Sequence, residues 1–300
     1  MAKDTINRTQ INSFIPEKVA FQAINKLTSY MNLGKTVYRD FEDEVASEGD
    51  TVRVPKFGTL TANEMSQTGE VTMQNPADDE VSVELDQHWE VSFLIRDVAK
   101  AMSKPKVLEG YVKNGSIALA EKIETSLAAL YASAGDSVSG GASLGLSDIR
   151  DLRKSHVDNK VPRLAPKYLY VDSEGYNDLL ALTDDVSKIG TNNPLISGNI
   201  PQLYGYGLFE SQNIQTSGSP STYHCLGYVE DAMTLVMRPL PNAGDGLGVM
   251  SAVVQDPESG IGMRVSYSWD KDHLGVQVTL DVLFGVSVLQ DELLVDVTHT

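Results

Sequence analysis

His224 and Cys225 stand side by side and could supply a general base and a thiol nucleophile, the pair that a thiol hydrolase uses. Nucleophile and base must meet in space rather than in sequence, however, and no supporting signature surrounds this dipeptide. A cysteine buried in a strand explains Cys225 better, which leaves a cytosolic thiol hydrolase as the remote alternative. His88, His156, His273 and His299 are scattered and lack the H-x-x-x-H and H-E-x-x-H spacings that bring two imidazoles to one zinc ion. Cys225 is the single cysteine, which excludes an internal disulfide and every multi-cysteine metal site. Asp270, Asp272, Gly275 and Asp281 match positions 1, 3, 6 and 12 of a calcium loop, but position 5 is Leu274 and position 12 is not Glu. Strand alternation accounts for the same residues. The run Gly244-Asp-Gly-Leu-Gly248 fits neither G-x-G-x-x-G nor a Walker loop, and reads as an ordinary turn. No catalytic residue, cofactor site or metal site is expected.

The elements that would carry these residues are clearer than the chemistry. Behind Pro16, Ala20, Ile24, Leu27 and Met31 recur at helical spacing, so a polar arm over 1–14 leads into a short helix. Thr51–Pro55 reads as a short strand. Over 81–96 the apolar residues Val81, Val83, Leu85, Trp89, Val91, Phe93 and Ile95 all fall on odd positions, which predicts one long strand with a wet and a dry face. Between them, residues 58–80 contain no aromatic, Lys or Arg and cannot make a core of their own. A two-stranded ribbon is marginal alone in water, so this long hairpin must lie on its own subunit or on a neighbouring copy. Phe57, Met65, Val71 and Met73 are the candidate contacts with a neighbour.

A short helical piece (97–102) precedes a stripe of Leu108, Val112, Leu119, Ile123, Leu127, Leu130 and Ala134, read as one helix from Pro105 to Ala134, roughly 45 Å long. Gly110 and Gly115 weaken its first half, so packing must hold that half or the helix bends there. Residues 135–145, rich in Gly and Ser, read as a linker. Then come a helix over 147–157, a strand over 167–171, a helix capped near Asp172 or Ser173, a loop over 190–201, strands around 203–209 and 223–226, and an apolar stretch over 232–237. Two long alternating strands follow, joined by a turn at 270–273. The order is that of an α+β protein.

The 300 residues include 24 Lys and Arg against 41 Asp and Glu, a net charge of −17. Bulk charge of this sign opposes adhesion to nucleic acid, but a negative wall can contain DNA without binding it. No run approaches the roughly 18 apolar residues that span a bilayer, and the first residues lack the apolar core of a signal peptide, so no membrane partner is expected.

The ordered set of segments resembles the major capsid proteins of tailed bacteriophages, whose fold is shared with encapsulins and the herpesvirus capsid floor. FIPE at 14–17 is similar to the family's arm, and GDTVRVPKFG at 49–58 with VSVELDQHWEVSFLIRDVAKA at 81–101 to the two sides of its extended loop. Residues 105–134 resemble the spine helix, and GIGMRVSYSWDKDHLGVQVTLDVLFGV at 260–286 the closing strands. The resemblance implies an N-terminal arm over 1–48, an extended loop over 49–96, a peripheral domain over 97–145, an axial domain over 146–252 and a return to the peripheral sheet over 253–300.

It further implies a non-enzymatic coat protein, assembled in the host bacterial cytoplasm. The protein would form hexamers and pentamers of an icosahedral shell, the virion capsid, around double-stranded DNA that it does not read by sequence. A portal protein and, since the sequence starts at the arm, a separate scaffolding protein are the implied partners. The alternative within the fold is an encapsulin-like compartment for enzyme cargo. Some family members crosslink through a lysine on the extended loop. Here 58–80 has none and Lys56 sits at the base, so non-covalent stabilisation is expected. Repulsion between copies, screened over roughly 8–10 Å, should weaken assembly at low salt.

Overall fold

A computed structural model describes residues 20, 22–27, 30–39, 51–56, 60–65, 70–75, 79–96, 107–186, 200, 202–242, 249–255 and 262–300. The polar stretch 1–14 of the arm, Phe57, the helical piece at 97–102, most of the 190–201 loop and Gly244–Gly248 lie outside them. Residues 20, 22–27 and 30 are helical, and the four apolar side chains predicted for that helix, Ala20, Ile24, Leu27 and Met31, are all buried.

Strands β1 (Thr51–Lys56) and β2 (Asp79–Glu84) form an antiparallel ribbon, with Thr51 opposite Glu84 and Lys56 opposite Asp79. The long strand expected over 81–96 is in fact two. β3 (Gln87–Arg96) leaves the ribbon after Leu85-Asp86 and joins a different sheet, although the alternation of faces continues through both. The reason lies across the chain at Gly285: a Cβ there would sit 2.1 Å from the Glu84 carbonyl oxygen. The crossover between β2 and β3 is pressed against that bare backbone.

Helix α1 (Val107–Ala128) is followed by a 3₁₀ turn over Ala129–Ser133, and the chain is extended at Ala134, so the expected single helix is shorter and its last turn tightens. Val112, Leu119, Ile123 and Leu127 are buried as the stripe requires. Gly115 is explained by packing, because a Cβ there would lie 2.6 Å from Leu280 Cδ1 and 3.3 Å from Val91 Cγ1. The glycine lets the helix lie close on the sheet, and that burial offsets its poor helix propensity.

The remaining elements are β4 (Asp136–Ser139), α2 (Leu146–Asp158), β5 (Lys167–Val171), α3 (Ser173–Val186), β6 (Gln202–Leu203), β7 (Tyr206–Glu210), β8 (Gln215–Ser217), β9 (Thr222–Val229), β10 (Met233–Met237), β11 (Val249–Gln255), β12 (Gly262–Asp270), β13 (Gly275–Val288) and β14 (Leu294–His299). β13 is long because it serves three partners: β3 along Gly275–Phe284 on one edge, and on the other β12 along Gly275–Asp281 and then β10 along Phe284–Val288. With β11 beyond β12 this makes a five-stranded sheet. The second sheet has seven strands, ordered β4-β14-β9-β5-β7-β6, with β8 paired to β9.

Sheet membership departs from the segments read along the sequence. β10, inside the expected axial segment, and β11, which crosses its end at 252, belong to the five-stranded sheet, while β14, inside the expected return segment, lies within the seven-stranded one. The predicted Gly/Ser linker contains an edge strand, β4, parallel to β14. With Val138 its one apolar residue and a partner about 160 positions away, β4 carries no local signal.

Helices α2 and α3 share one face of the seven-stranded sheet, where Ile149, Leu152, Tyr176 and Leu179 pack on Leu169, Val171, Cys225 and Val297. The other face, through Tyr170, Leu226 and Tyr228, joins the main core with α1 and the five-stranded sheet. The result is an α+β fold in which α1 bridges the two sheets.

Candidate functional site

Four of the five histidines, His88, His156, His224 and His299, have a partner at least 50 positions away, whereas His273 pairs with Asp270 in its own turn. Successive residues of a strand point to opposite faces, so His224 and Cys225 are separated by β9 itself. His224 lies against Asp296 (Nδ1 to Oδ2, 2.8 Å) and Ser217 (Nε2 to Oγ, 2.7 Å) and stacks on Tyr131 with ring centroids 3.9 Å apart. Cys225 faces the α2–α3 side, 0% exposed, its Sγ 3.6 Å from Asp172 Oδ1. Burial pushes its thiol well above the usual range, so it is not a thiolate at neutral pH.

The histidine that approaches Cys225 is His299, which donates from Nε2 to Asp172 Oδ1 at 2.7 Å. Asp172, Cys225 and His299 thus bring an oxygen, a sulfur and a nitrogen within 4.8 Å of one another, all buried. The carboxylate is already occupied: Oδ2 accepts the Glu174 N–H and Oδ1 the Gly175 N–H, besides His299 and Cys225. Asp172 is the N-cap of α3, and the cluster ties that helix to β9 and β14. Burial raises the Asp172 pKa, but the bond from His299 and the two N–H groups outweigh it and hold the carboxyl low. Bonding to Asp172 raises the pKa of His299.

His156 bonds Tyr206 (2.6 Å) and the Leu293 carbonyl (3.3 Å), and burial lowers its pKa to about 4. His88 and Arg264 both hold Asp281, in β13. Asp270 caps its own hairpin turn by accepting from Asp272, His273 and the His273 ring. The calcium-loop residues are therefore a strand and a turn, as their alternation indicated.

A second buried carboxyl ties α1 to the 32–34 turn and to the seven-stranded sheet. Glu124, on α1, accepts the Asn32 N–H (2.8 Å) and the Gly34 N–H (3.1 Å) and the Tyr170 hydroxyl. Burial raises its pKa against the pull of these donors. The sequence marked 124 only as one polar position beside an apolar stripe.

The ribbon is the opposite case. Near its base Val52, Val54, Val83 and Leu85 are buried with Val236 against Leu283 and Leu289, so this part lies on its own subunit. Lys56 reaches Asp291 of the same chain at 3.8 Å. A cleft of about 210 Å³ between Tyr38, Pro55, Lys56 and Leu289 marks where the ribbon leaves the body. Farther out, Gln74 accepts the Thr61 N–H at 2.9 Å and holds the two arms together. Of the four contact candidates, Met65 (64% exposed), Val71 (68%) and Met73 (89%) meet no core in this chain; Phe57 is outside the described residues. Leu60 is exposed beside them.

No protein-family profile and no curated protein matches the sequence. Solved structures do match in fold. A chain from Mycobacterium phage Che8 aligns with TM-score 0.65 and 19% identity over 89% of this chain and 90% of that one. The capsid structure of cyanophage P-SCSP1u aligns with TM-score 0.62 and 14% identity over 85% and 84%. A virus-like particle from Pyrococcus furiosus aligns with TM-score 0.50 and 12% identity over 93% and 97%. At these identities the likeness speaks for the fold, and the chain has the fold of the tailed-phage major capsid proteins.

Proposed function

We propose that the protein is a viral coat protein that self-assembles into the hexamers and pentamers of an icosahedral capsid around double-stranded DNA. The observation that carries this reading is the fold: nearly the whole chain aligns with phage capsid structures, including the cyanophage capsid. The projecting ribbon supports it, because a row of exposed apolar side chains without a local core is what a subunit presents to a neighbour. Head-to-tail contacts of this kind close into rings, and many modest contacts per subunit add up to a stable shell. A portal and a separate scaffolding protein complete the proposed assembly in the bacterial cytoplasm. The net charge of −17 suits a container that holds DNA without gripping it. Non-covalent contacts hold the shell: residues 60–65 and 70–75 offer no lysine, and Lys56 is engaged by Asp291 of its own chain.

The likeness to the Pyrococcus furiosus virus-like particle favours a second reading, a compartment for protein cargo. Negative-stain imaging with sedimentation velocity tests both readings. Closed shells or capsomer rings are expected, and nuclease-protected DNA inside particles from infected cells distinguishes a virion from a cargo compartment. A discrete monomer or dimer at all salt concentrations, even with scaffold supplied, would overturn the assembly reading. The thiol-hydrolase alternative requires an accessible thiolate, and the burial of Cys225 opposes it.

A further inference from the structure

Charge is distributed unevenly for a chain of net −17. Between residues 150 and 167, six Lys and Arg face two Asp, a local excess of four positive charges. Arg150, Arg153 and Lys154 project from the outer side of α2, and Lys160 and Arg163 follow in the loop that leaves it, all exposed. Among the described residues, Arg153, Lys154, Lys160 and Arg163 make no ion pair. Desolvation and then the nearby Arg153 charge lower the pKa of Lys167, so positive charge here is crowded and not neutralised. Two apolar side chains stand among these cations, Val157 at 60% exposure and Leu164 at 96%.

The ribbon has the reciprocal chemistry. From 57 to 84, the end of the ribbon, there are six Asp and Glu and no Lys or Arg. Toward its distal end Glu64 and Glu70 are exposed beside Met65, Val71 and Met73. An extended arm of about a dozen residues reaches roughly 35–40 Å, enough to cross an adjacent small domain.

We infer that the distal ribbon of one copy docks on the basic α2 face of a second copy, its acidic residues against Arg153, Lys154 and Arg163 and its methionines against Val157 and Leu164. This rests on the assembly reading above and names the surfaces that meet. The partner is a second copy rather than nucleic acid because phosphates would satisfy the cations and leave Val157 and Leu164 in water, whereas the ribbon matches both kinds of group. The two patches differ, as a head-to-tail contact requires. The attraction is local and acts against the overall repulsion of like-charged copies.

The test is charge reversal on the full chain, scored by shell or ring yield on a gradient at one ionic strength. Arg153→Glu with Lys154→Glu and Arg163→Glu should lower yield about tenfold, as should Glu64→Lys with Glu70→Lys, and combining the sets should recover most of it. Circular dichroism checks that each variant is folded. The milder pair Arg153→Gln and Lys154→Gln should give an intermediate loss. Wild-type yield from the three-residue reversal would overturn the docking while leaving the assembly reading intact. Failure of the combined variant to recover, with a 20-base-pair DNA duplex retained by the wild type and lost by the reversal, would assign the face to nucleic acid and overturn it too. A wild-type chain that forms no shells or rings would take down the assembly reading itself.

Discussion

The distal ribbon and the junction around Glu124 treat their side chains in opposite ways. At the junction one carboxylate is buried to 2% exposure and satisfied within the chain by two N–H groups and a tyrosine hydroxyl, so that α1, the 32–34 turn and β5 are locked together. On the ribbon, Met65, Val71 and Met73 are exposed, and among the described residues the one ion pair of its acids, Arg53–Glu80 at 3.3 Å, is solvent-facing and weak. The body satisfies these groups within the chain, while the distal ribbon leaves its apolar side chains exposed, as the proposed contact with a second copy requires. A subunit that folds first and assembles second needs this division, since the same groups cannot both hold the monomer together and be available to a neighbour.

The most disruptive way to break this division is at the joint. Gly285→Ala should destabilise the fold by about 3 kcal/mol, because its Cβ would meet the Glu84 backbone rather than a movable side chain; urea unfolding measures it. If stability were unchanged, the ribbon would not be seated on β13 as described. Next, Glu124→Ala should cost about 2 kcal/mol by leaving buried donors unsatisfied. Glu124→Gln sharpens the point. With its folded pKa above the ordinary 4.5, Glu124 binds more protons folded than unfolded, so its contribution falls as pH rises through the raised value. Gln should flatten that slope.

A smaller effect belongs to the Asp172–His299 pair, for which Asp172→Ala should remove about 1 kcal/mol of capping. The folded Asp172 pKa lies below its ordinary 3.8 and that of His299 above its ordinary 6.5. The pair's contribution is therefore full between those values, is lost as pH falls through the depressed carboxyl pKa, and is lost as pH rises through the raised imidazole pKa. The wild-type minus Asp172→Ala stability difference, measured from pH 3 to 9, should peak in that window. A difference constant with pH would show the cap to be independent of His299. The smallest stability effect is expected at the ribbon tip: Met65→Ser with Met73→Ser should change monomer stability by less than about 0.5 kcal/mol while lowering shell yield. A large loss of monomer stability would mean the ribbon packs on its own subunit after all.

Strand and helix periodicity carried most of the local structure. The odd-position apolar residues from Val81 to Ile95, except Trp89, which is 42% exposed, foretold which side chains turn inward, and Ala20, Ile24, Leu27 and Met31 foretold a buried helix face. Composition raised the suspicion that residues 58–80 need an outside surface, because a segment with no aromatic and only scattered apolar groups cannot bury enough area to order itself. Those conclusions follow from side-chain type and spacing alone, since both are properties of a few consecutive residues.

What the tertiary structure decided is pairing. The break at Leu85-Asp86, the choice of β13 as partner for β3, and the union of β4 with β14 depend on where distant backbone arrives. The same holds for His224 meeting Asp296 across 72 positions and Asp172 meeting His299 across 127. Alternation says which face a residue takes but not which strand lies beside it, because every amphipathic strand offers the same backbone hydrogen-bonding edge. The neighbour is selected by fit among side chains and by bare positions such as Gly285, and these come together only when the chain is folded.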